Sequence, residues 1–487
     1  MRLSHDQMYD RLIAGDATYN GRFFTGVRTT GIYCLPSCKA RKPKSENVDF
    51  FPSCEAARAS GLRACRKCHP DDFARGADPV LQDIETLVKE IRAEPAHFPD
   101  VDAVVKRSGF GSTRLFELLR QHYHSTPADL ILRSRLARAR SRLAGENTKL
   151  ADIAFESGFE SLSVFHERFR QQHGLTPTAY RALASSARFS LELPPDYPLP
   201  HLRRSLGRDP ESVSERIDGS RYRWLTHLEG EPALLSLDLR SRHVGVQWEL
   251  CPDSGRKPEA PPARLGTAAH AMACGVLGLG QDGAGFSRLA ARLGLQRLVA
   301  GREELRIAQT PTVFDGLLWS IIGQQINLPF AFRLRRRLIE RVGRRVAEGW
   351  FVPPKPAEVA GLDPAELHRL QFSRPKASYV LGVSQRVASG ELDLDRLVTL
   401  SASRVERTLI DVRGLGPWSV NYLMMRSLGF ADCVPLGDTG VTSGLQTLFS
   451  LAERPDLDAT RRLMHVFSPY RSLATAHLWQ INQPNPS

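Results

Sequence analysis

Long apolar runs are missing from this chain. No stretch of its 487 residues reaches the roughly 18 uninterrupted apolar residues of a membrane span, so no membrane partner is expected. The opening "MRLSHDQMYDRLIAGDATYNG" carries charges throughout and lacks the apolar core of a secretory signal, which predicts a cytoplasmic protein. Cysteine is scarce for a disulfide framework: there are eight, and only four are tightly paired. "DTG" occurs once, whereas an aspartic protease needs two such motifs for its dyad. "GLGQDG" (Gly278 to Gly283) matches a dinucleotide fingerprint in form but follows no strand of a βαβ unit. It reads as a turn linking helices, and no organic cofactor is expected.

What the chain does have is positive charge and apolar mass. Lys and Arg number 66 against 53 Asp and Glu, a formal charge of +13, and 42% of residues are hydrophobic. That excess favours a polyanion such as nucleic acid, although an ordinary basic enzyme fits it equally well. The length predicts about three domains.

Residues 1–76 are rich in Gly, Pro and Cys and too few for a large core, so a metal staple is expected. Residues 80–183 contain one internal repeat: "SGFGSTRLFELLRQHYHSTP" (Ser108 to Pro127) is echoed by "SGFESLSVFHERFRQQHGLTP" (Ser157 to Pro177). Each copy reads as a helix-turn-helix, with Gly at the turn and Ser capping the second helix. Recognition helices are expected near Ser112–His122 and Ser161–His173. Between the copies, "LRSRLARARSRL" carries Arg133, Arg135, Arg138, Arg140 and Arg142, with Leu132, Leu136 and Leu143 on one face. Alone, such a run is a solvated face. Between two helix-turn-helix units it points to DNA phosphates, with Arg133 and Arg138 as the expected contacts.

A Ser- and Pro-rich stretch, "ASSARFSLELPPDYPLP", reads as a linker from within which a third domain, 188–483, begins. Strand-like runs occupy 188 to about 250 of a sheet-containing subdomain, 188–270, and a Pro-rich break, "PDSGRKPEAPPARLG", separates them from a helical body over 271–483. Within that body, "DVRGLGPWSVNYLMMRSLGFADCVPLGDTG" is the most informative stretch. Gly414 and Gly416 frame a tight turn between helical patterns, a helix-hairpin-helix whose backbone N–H groups can face a DNA phosphate. Trp418, Tyr422 and Asp438 follow. Read without context, each aromatic is more often core, and Asp438 before Thr-Gly can simply cap a helix.

This spacing resembles the helix-hairpin-helix DNA glycosylases, in particular the AlkA-type methylpurine glycosylases, over most of residues 188–483. The resemblance implies that Asp438 is the catalytic carboxylate, stabilising oxocarbenium character at the sugar. Trp418, Tyr422 and Trp479 would hold the flipped base. Lyase-type relatives carry a lysine in the second half of the hairpin. Trp418 stands there instead, which implies a monofunctional enzyme. "WSIIGQQINLPFAF" resembles the family's intercalation loop, with Gln325 as the wedge and Gln324 beside it. Of Arg333, Arg335, Arg336 and Arg337 on the next helix, only some can face DNA.

Cys34, Cys38, Cys65 and Cys68 form a C-x3-C and a C-x2-C. Read from spacing, they are a closed structural zinc site. The surrounding "FFTGVRTTGIYC", "PSC", "ENVDFF" and "CRKCHP" resemble the methyl-acceptor module of the Ada response regulators, and 80–183 resembles an AraC-type DNA-binding domain. The resemblance implies one zinc ion on all four cysteines, with Cys34 accepting a methyl group from a DNA phosphotriester. Zinc keeps a thiol deprotonated at neutral pH, so a ligand can double as nucleophile. The site carries two net negative charges before transfer and one after it, so DNA binding should tighten. Leu35 stands where the family commonly has Arg, leaving Arg28 or Lys39 to reach the phosphate, and Cys54 is an extra thiol. The guanine-repair domain of Ada is not expected, for no Pro-Cys-His-Arg motif occurs.

The expected architecture is a small zinc-stapled α/β domain, an all-α double helix-turn-helix domain, and an α+β glycosylase with a small antiparallel sheet. The expected partners are double-stranded DNA, damaged and promoter, and RNA polymerase if the protein is an activator. The expected function is an alkylation-responsive regulator that also excises alkylated purines of the 3-methyladenine type. Two alternatives stand beside it: a regulator with a degenerate glycosylase domain, and a glycosylase with a purely structural zinc and helix-turn-helix tether.

Overall fold

The computed structural model describes residues 3–76, 78–251 and 262–483. The chain divides into two compact units, Met1–Lys89 and Glu90–Ser487, and helix Pro79–Ala93 contains the division. Most of the Pro-rich break, residues 252–261, lies outside the described residues. Among the described residues, no helix is long and apolar enough to cross a membrane.

In the first unit, β1 (Phe24–Val27) pairs antiparallel with both β2 (Ile32–Cys34) and β3 (Val48–Phe51). β4 (Arg63–Ala64) runs parallel to β2 with Tyr33 opposite Ala64. That register brings Cys34 and Cys65, the next residue on each strand, to the same end of the sheet. Behind the sheet, Phe24, Tyr33, Leu35, Cys54 and Ala57 make a very small core. So little apolar volume offsets little chain entropy, which is why the fold needs a staple.

The second unit begins with the expected repeat. Helix Val101–Ser108 turns at Gly109 into helix Ser112–Tyr123, and helix Leu150–Glu156 turns at Gly158 into helix Leu162–His173. Ser161 caps the second recognition helix, accepting from the Val164 N–H. In the first copy the helix starts one residue earlier, so Gly111 occupies the cap position and Ser112 makes no cap bond. Helix Pro127–Gly145 joins the copies and buries Leu130, Ile131, Leu136, Ala139 and Leu143.

An antiparallel sheet follows, ordered β5 (Arg188–Glu192), β9 (His243–Leu250), β8 (Glu231–Asp238), β7 (Arg221–Leu228) and β6 (Glu215–Asp218). The stretch read as a linker includes the expected strand at the sheet's edge, and Leu183, just before that stretch, is buried. Phe165, Phe169, Tyr180 and Leu183 of the helix-turn-helix region share one core with Leu191, Trp224, Leu235 and Ala269. Helix Pro262–Val276 closes this joint. A Cβ on Gly266 would lie 2.1 Å from the Leu183 carbonyl oxygen, so only glycine allows the approach. His270 Nε2 donates to the His173 carbonyl at 2.9 Å across the same joint. "GLGQDG" links this helix to helix Gly283–Arg292, which Asp282 caps.

The helical body has its own core, including Leu317, Ile321, Leu334, Val380, Val405, Leu423, Leu445 and Phe467. Helices Ala402–Ile410 and Pro417–Arg426 form the hairpin pair. At the turn, Gly414 has φ 97°, and a Cβ there would fall 2.4 Å from the Tyr379 ring. Glycine is required both for the left-handed backbone and for the ring lying against it.

Candidate functional sites

Asp438 caps helix Thr439–Phe449 and stands in an open cleft of about 2040 Å³ beside the hairpin. Its Oδ1 accepts from the Val441 N–H at 3.0 Å and from the Trp479 indole N–H at 2.9 Å. Its Oδ2 accepts from the Trp418 indole N–H at 3.0 Å. The capping role and the site role thus fall on one residue, and two indoles hold the carboxylate plane. Trp418 and Tyr422 stack with centroids 5.0 Å apart and planes 18° apart, and Trp479 lies 6.2 Å from Tyr422. The four residues come together because i, i+4 spacing puts Trp418 and Tyr422 on one helix face. Helix Arg471–Leu478 delivers Trp479 from the opposite side.

Trp319 completes the ring wall, donating its indole N–H to the Tyr422 hydroxyl at 3.0 Å and stacking on Phe332. Sequence reasoning missed it. Its signal was its place near the end of helix Val313–Ile322, one turn before the loop that opens on the cleft.

That loop separates the two glutamines. Gln325 is exposed, with φ 55°, and no bond holds its side chain among the described residues. Gln324 is turned inward: its amide donates to the Gly414 carbonyl at 2.8 Å and to Ser419 Oγ at 2.9 Å. The amide expected at DNA is therefore a clamp on the hairpin. Leu328, 52% exposed, also lines the cleft, an apolar residue that the sequence did not single out. Gly416 is exposed at the N-terminus of helix Pro417–Arg426, where free N–H groups suit a phosphate.

The arginines divide by partner. Arg335 pairs with Glu215 at 2.8 Å, Arg336 with Glu211, and Arg337 with Gln371 at 2.5 Å. Arg333 alone of the four is exposed and unpaired among the described residues, and it lines the cleft. Between the helix-turn-helix copies, Arg138 is drawn inward to the Ala93 carbonyl at 2.6 Å and Glu94 at 3.2 Å. Arg135 binds the Phe98 and Pro99 carbonyls, and Arg142 binds Glu146 and Glu156. Arg133 stays exposed, and it is unpaired among the described residues. The expected phosphate face is thus largely an internal brace, since carbonyls left open at helix ends are strong acceptors for guanidinium. Arg133→Ala should reduce the salt slope of promoter binding by about one. Arg138→Ala should instead lower the melting temperature with little change in that slope, measurable by titration at several salt concentrations.

In the first unit, the Sγ atoms of Cys34, Cys38, Cys65 and Cys68 all lie within 4.8 Å of one another. Tetrahedral zinc with Zn–S bonds of about 2.3 Å requires sulfurs about 3.8 Å apart, so the donor set fits. Cys38 and Cys65 are already 4.0 Å apart, and the Leu35 and Lys67 N–H groups point at Cys68 and Cys65 Sγ. Hydrogen bonds to Cys38 and Cys68, then burial, push the Cys34 thiol up, and hydrogen bonds with Cys34 and Cys68 hold the Cys38 thiol down. Cys34 is 7% exposed, and Cys68 is the most open of the four. Leu35 is buried at 5%, its side chain part of the small core. Arg28 is engaged by Asp49 at 2.9 Å. Arg66 and Lys67, between the last two cysteines, are exposed and their side chains unpaired among the described residues. Cys54 is buried at 1% and directs its thiol to the Pro70 carbonyl, away from the sulfur cluster.

Three family models match the chain: "Metal binding domain of Ada" over residues 7–71, "Helix-turn-helix domain" over 104–183, and "HhH-GPD superfamily base excision DNA repair protein" over 318–469. A Mycobacterium tuberculosis protein named "Probable bifunctional transcriptional activator/DNA repair enzyme AlkA" is 29% identical over 97% of this chain and 96% of its own length. A Bacillus subtilis "DNA-3-methyladenine glycosylase" is 32% identical over 36% of this chain and 59% of its own. A structure titled "3-methyladenine dna-glycosylase from Archaeoglobus fulgidus" shares the fold of 60% of the chain, with TM-score 0.50 and 19% identity. The four cysteines thus form the one zinc site of an Ada-type domain. On one polypeptide the chain joins that domain to a helix-turn-helix regulator domain and a DNA-repair domain of the HhH-GPD superfamily.

Proposed function

We propose that the chain is an alkylation-response protein that senses methylated DNA, regulates transcription and excises alkylated purines. The Asp438 carboxylate, bracketed by the Trp418 and Trp479 indoles in a ring-lined cleft beside the hairpin, is the observation that carries the excision reading. The name and length of the Mycobacterium tuberculosis relative support the union of both activities on one chain.

A purine methylated at N3 or N7 is cationic and leaves readily. The C1′–N bond breaks with its electrons passing to the base, water adds its oxygen to C1′, and the proton goes to solvent. Asp438 stabilises the positive sugar in the transition state, and its two indole donors fix the oxygens so that no reorganisation is needed. The rings favour a cationic, electron-poor base. With Trp418 where a Schiff-base lysine would stand, the product is an uncut abasic site. Gln325 fills the space that the base vacates, while Gly416 and Arg333 take the flanking phosphates. Incubation with DNA carrying 3-methyladenine should release the free base and leave the strand intact. Retention of the base would contradict excision, and strand cleavage would contradict the monofunctional mechanism.

In the zinc domain, Cys34, Cys38, Cys65 and Cys68 would hold the ion, which supplies a thiolate at neutral pH. The Cys34 sulfur attacks the methyl carbon of a phosphotriester, the C–O bond breaks, and the electron pair stays on the phosphate oxygen. Arg66 and Lys67 take over the phosphate contact that Leu35 cannot make. Loss of one negative charge at the site then favours promoter DNA, and RNA polymerase is the partner if the chain activates transcription.

A further inference from the structure

The two recognition helices, Ser112–Tyr123 and Leu162–His173, are each 12 residues long, so their positions correspond one to one. Gly174 ends the second in a left-handed conformation, φ 69°, which glycine adopts freely. His124 holds the same place after the first, at φ 50°, where a side chain is disfavoured. Such strain persists where the surroundings hold the residue in place. Neighbouring positions differ in the same direction: Leu118 and His122 are buried, whereas their counterparts Arg168 and Gln172 are exposed and half-buried. The first copy is also the one that packs on the hairpin. Helix Ser112–Tyr123 lies against helix Ala402–Ile410, and His122 Nδ1 bonds Ser403 Oγ at 2.8 Å.

Just past the helix, the His124 ring lies edge-on to Phe430 with centroids 5.5 Å apart. Its Nδ1 accepts from the Asp432 N–H at 3.1 Å. A backbone N–H can only donate, so that ring nitrogen carries no proton and the imidazole is neutral. Burial acts the same way and pushes the His124 pKa down to about 4. Asp432 is 6% exposed, and its carboxylate is gripped from the glycosylase side. Arg471 Nε and Nη2 each donate to it at 2.8 Å, and Ser468 Oγ donates at 2.9 Å. Two routes lead from this knot to the excision site. Asp432 stands shortly before Asp438 in the chain, and Arg471 begins the helix that delivers Trp479. The routes meet again where the Trp479 indole donates to Asp438 Oδ1 at 2.9 Å.

We propose that His124 is a positioning residue for base excision: from the end of a DNA-recognition helix it fixes the segment that carries Asp438. The helix-turn-helix domain is then part of the support of the excision site, and the two copies of the repeat do different work.

The inference rests on the glycosylase reading. Its test compares full-length wild type, His124→Gly and His124→Asn in single-turnover release of 3-methyladenine. Glycine is what the second copy uses, so the helix end is kept and only the acceptor and ring are lost. Asparagine tolerates the left-handed backbone, and its Oδ1 is bonded to Cγ as the histidine Nδ1 is, so the acceptor returns without the ring. His124→Gly should slow release about tenfold or more, the scale of a slightly misplaced catalytic group, with affinity for abasic-site DNA unchanged. His124→Asn should recover most of that rate. Equal losses in both variants would overturn the proposal, as would release at the wild-type rate in His124→Gly. So would a loss that followed a lower melting temperature or weaker DNA binding, which would mark His124 as a structural contact alone. Wild-type protein that released no base would overturn the glycosylase reading itself, and this inference with it.

Discussion

Asp438→Asn is expected to lower single-turnover release of 3-methyladenine by about 10²–10³-fold, the scale of removing one preorganised electrostatic group from a transition state. The substitution removes the charge and turns an amide N–H toward an indole N–H, because Trp418 and Trp479 each donate to a different oxygen. It keeps the cap: asparagine accepts from a first-turn N–H as well as aspartate does, so helix Thr439–Phe449 should persist. Asp438→Ala loses cap and charge together and should cost about 1 kcal/mol more stability. The pair of variants therefore separates the two roles of one residue. A catalytic carboxylate predicts that both variants lose base release while only the alanine variant loses melting temperature. Binding to abasic-site DNA should survive in the asparagine variant. Base release that tracked stability instead would reduce Asp438 to a helix cap.

Removal of zinc should unfold the first unit and leave base release unchanged. The apolar cluster of Phe24, Tyr33, Leu35, Cys54 and Ala57 is small, whereas the metal would tie Cys34 and Cys38, at and after the end of β2, to Cys65 and Cys68, after β4. Structural zinc contributes about 10–16 kcal/mol of apparent binding energy in comparable small domains, far more than such a core supplies. The glycosylase residues lie in the other compact unit, Glu90–Ser487. Chelation followed by limited proteolysis should degrade residues up to about Lys89 and spare the remainder. Cys54→Ser should keep full zinc stoichiometry, because the Cys54 thiol points to the Pro70 carbonyl instead of the cluster. A first unit that resisted protease after verified chelation would mean that its small core suffices.

Local chemistry was readable in the sequence and tertiary pairing was not. The cysteine spacing, the repeated helix-turn-helix and the glycine-framed hairpin are short-range patterns whose backbone geometry follows from a few residues. The structure brings Asp438, Trp418, Tyr422 and Trp479 into contact, and it was the family resemblance, more than any local spacing, that had put Trp479 in one pocket with the others. Arg138 and Gln324 show the limit. Both look like DNA-facing polar side chains in one dimension, yet the Ala93 and Gly414 carbonyls that claim them come from elsewhere in the fold. His124 is the reverse case, a helix-end residue without any motif that only its partner Asp432 makes conspicuous. The shared core of the helix-turn-helix region and the sheet was also invisible, since a Ser- and Pro-rich stretch has the composition of a linker. Its edge strand pairs Arg188 with Gln247, 59 residues on, and the close approach at Gly266 meets Leu183, 83 residues earlier.

One incubation addresses the central claim that sensing and excision share this chain. Zinc-loaded full-length protein would be mixed with DNA bearing both methylphosphotriesters and 3-methyladenine. Free base would be followed by chromatography, and protein methylation by peptide mass spectrometry. The account predicts repeated release of 3-methyladenine together with one methyl group per chain, placed on Cys34. Base release with no methyl on any of the four cysteines, or a methylated Cys34 with no free base, would contradict it.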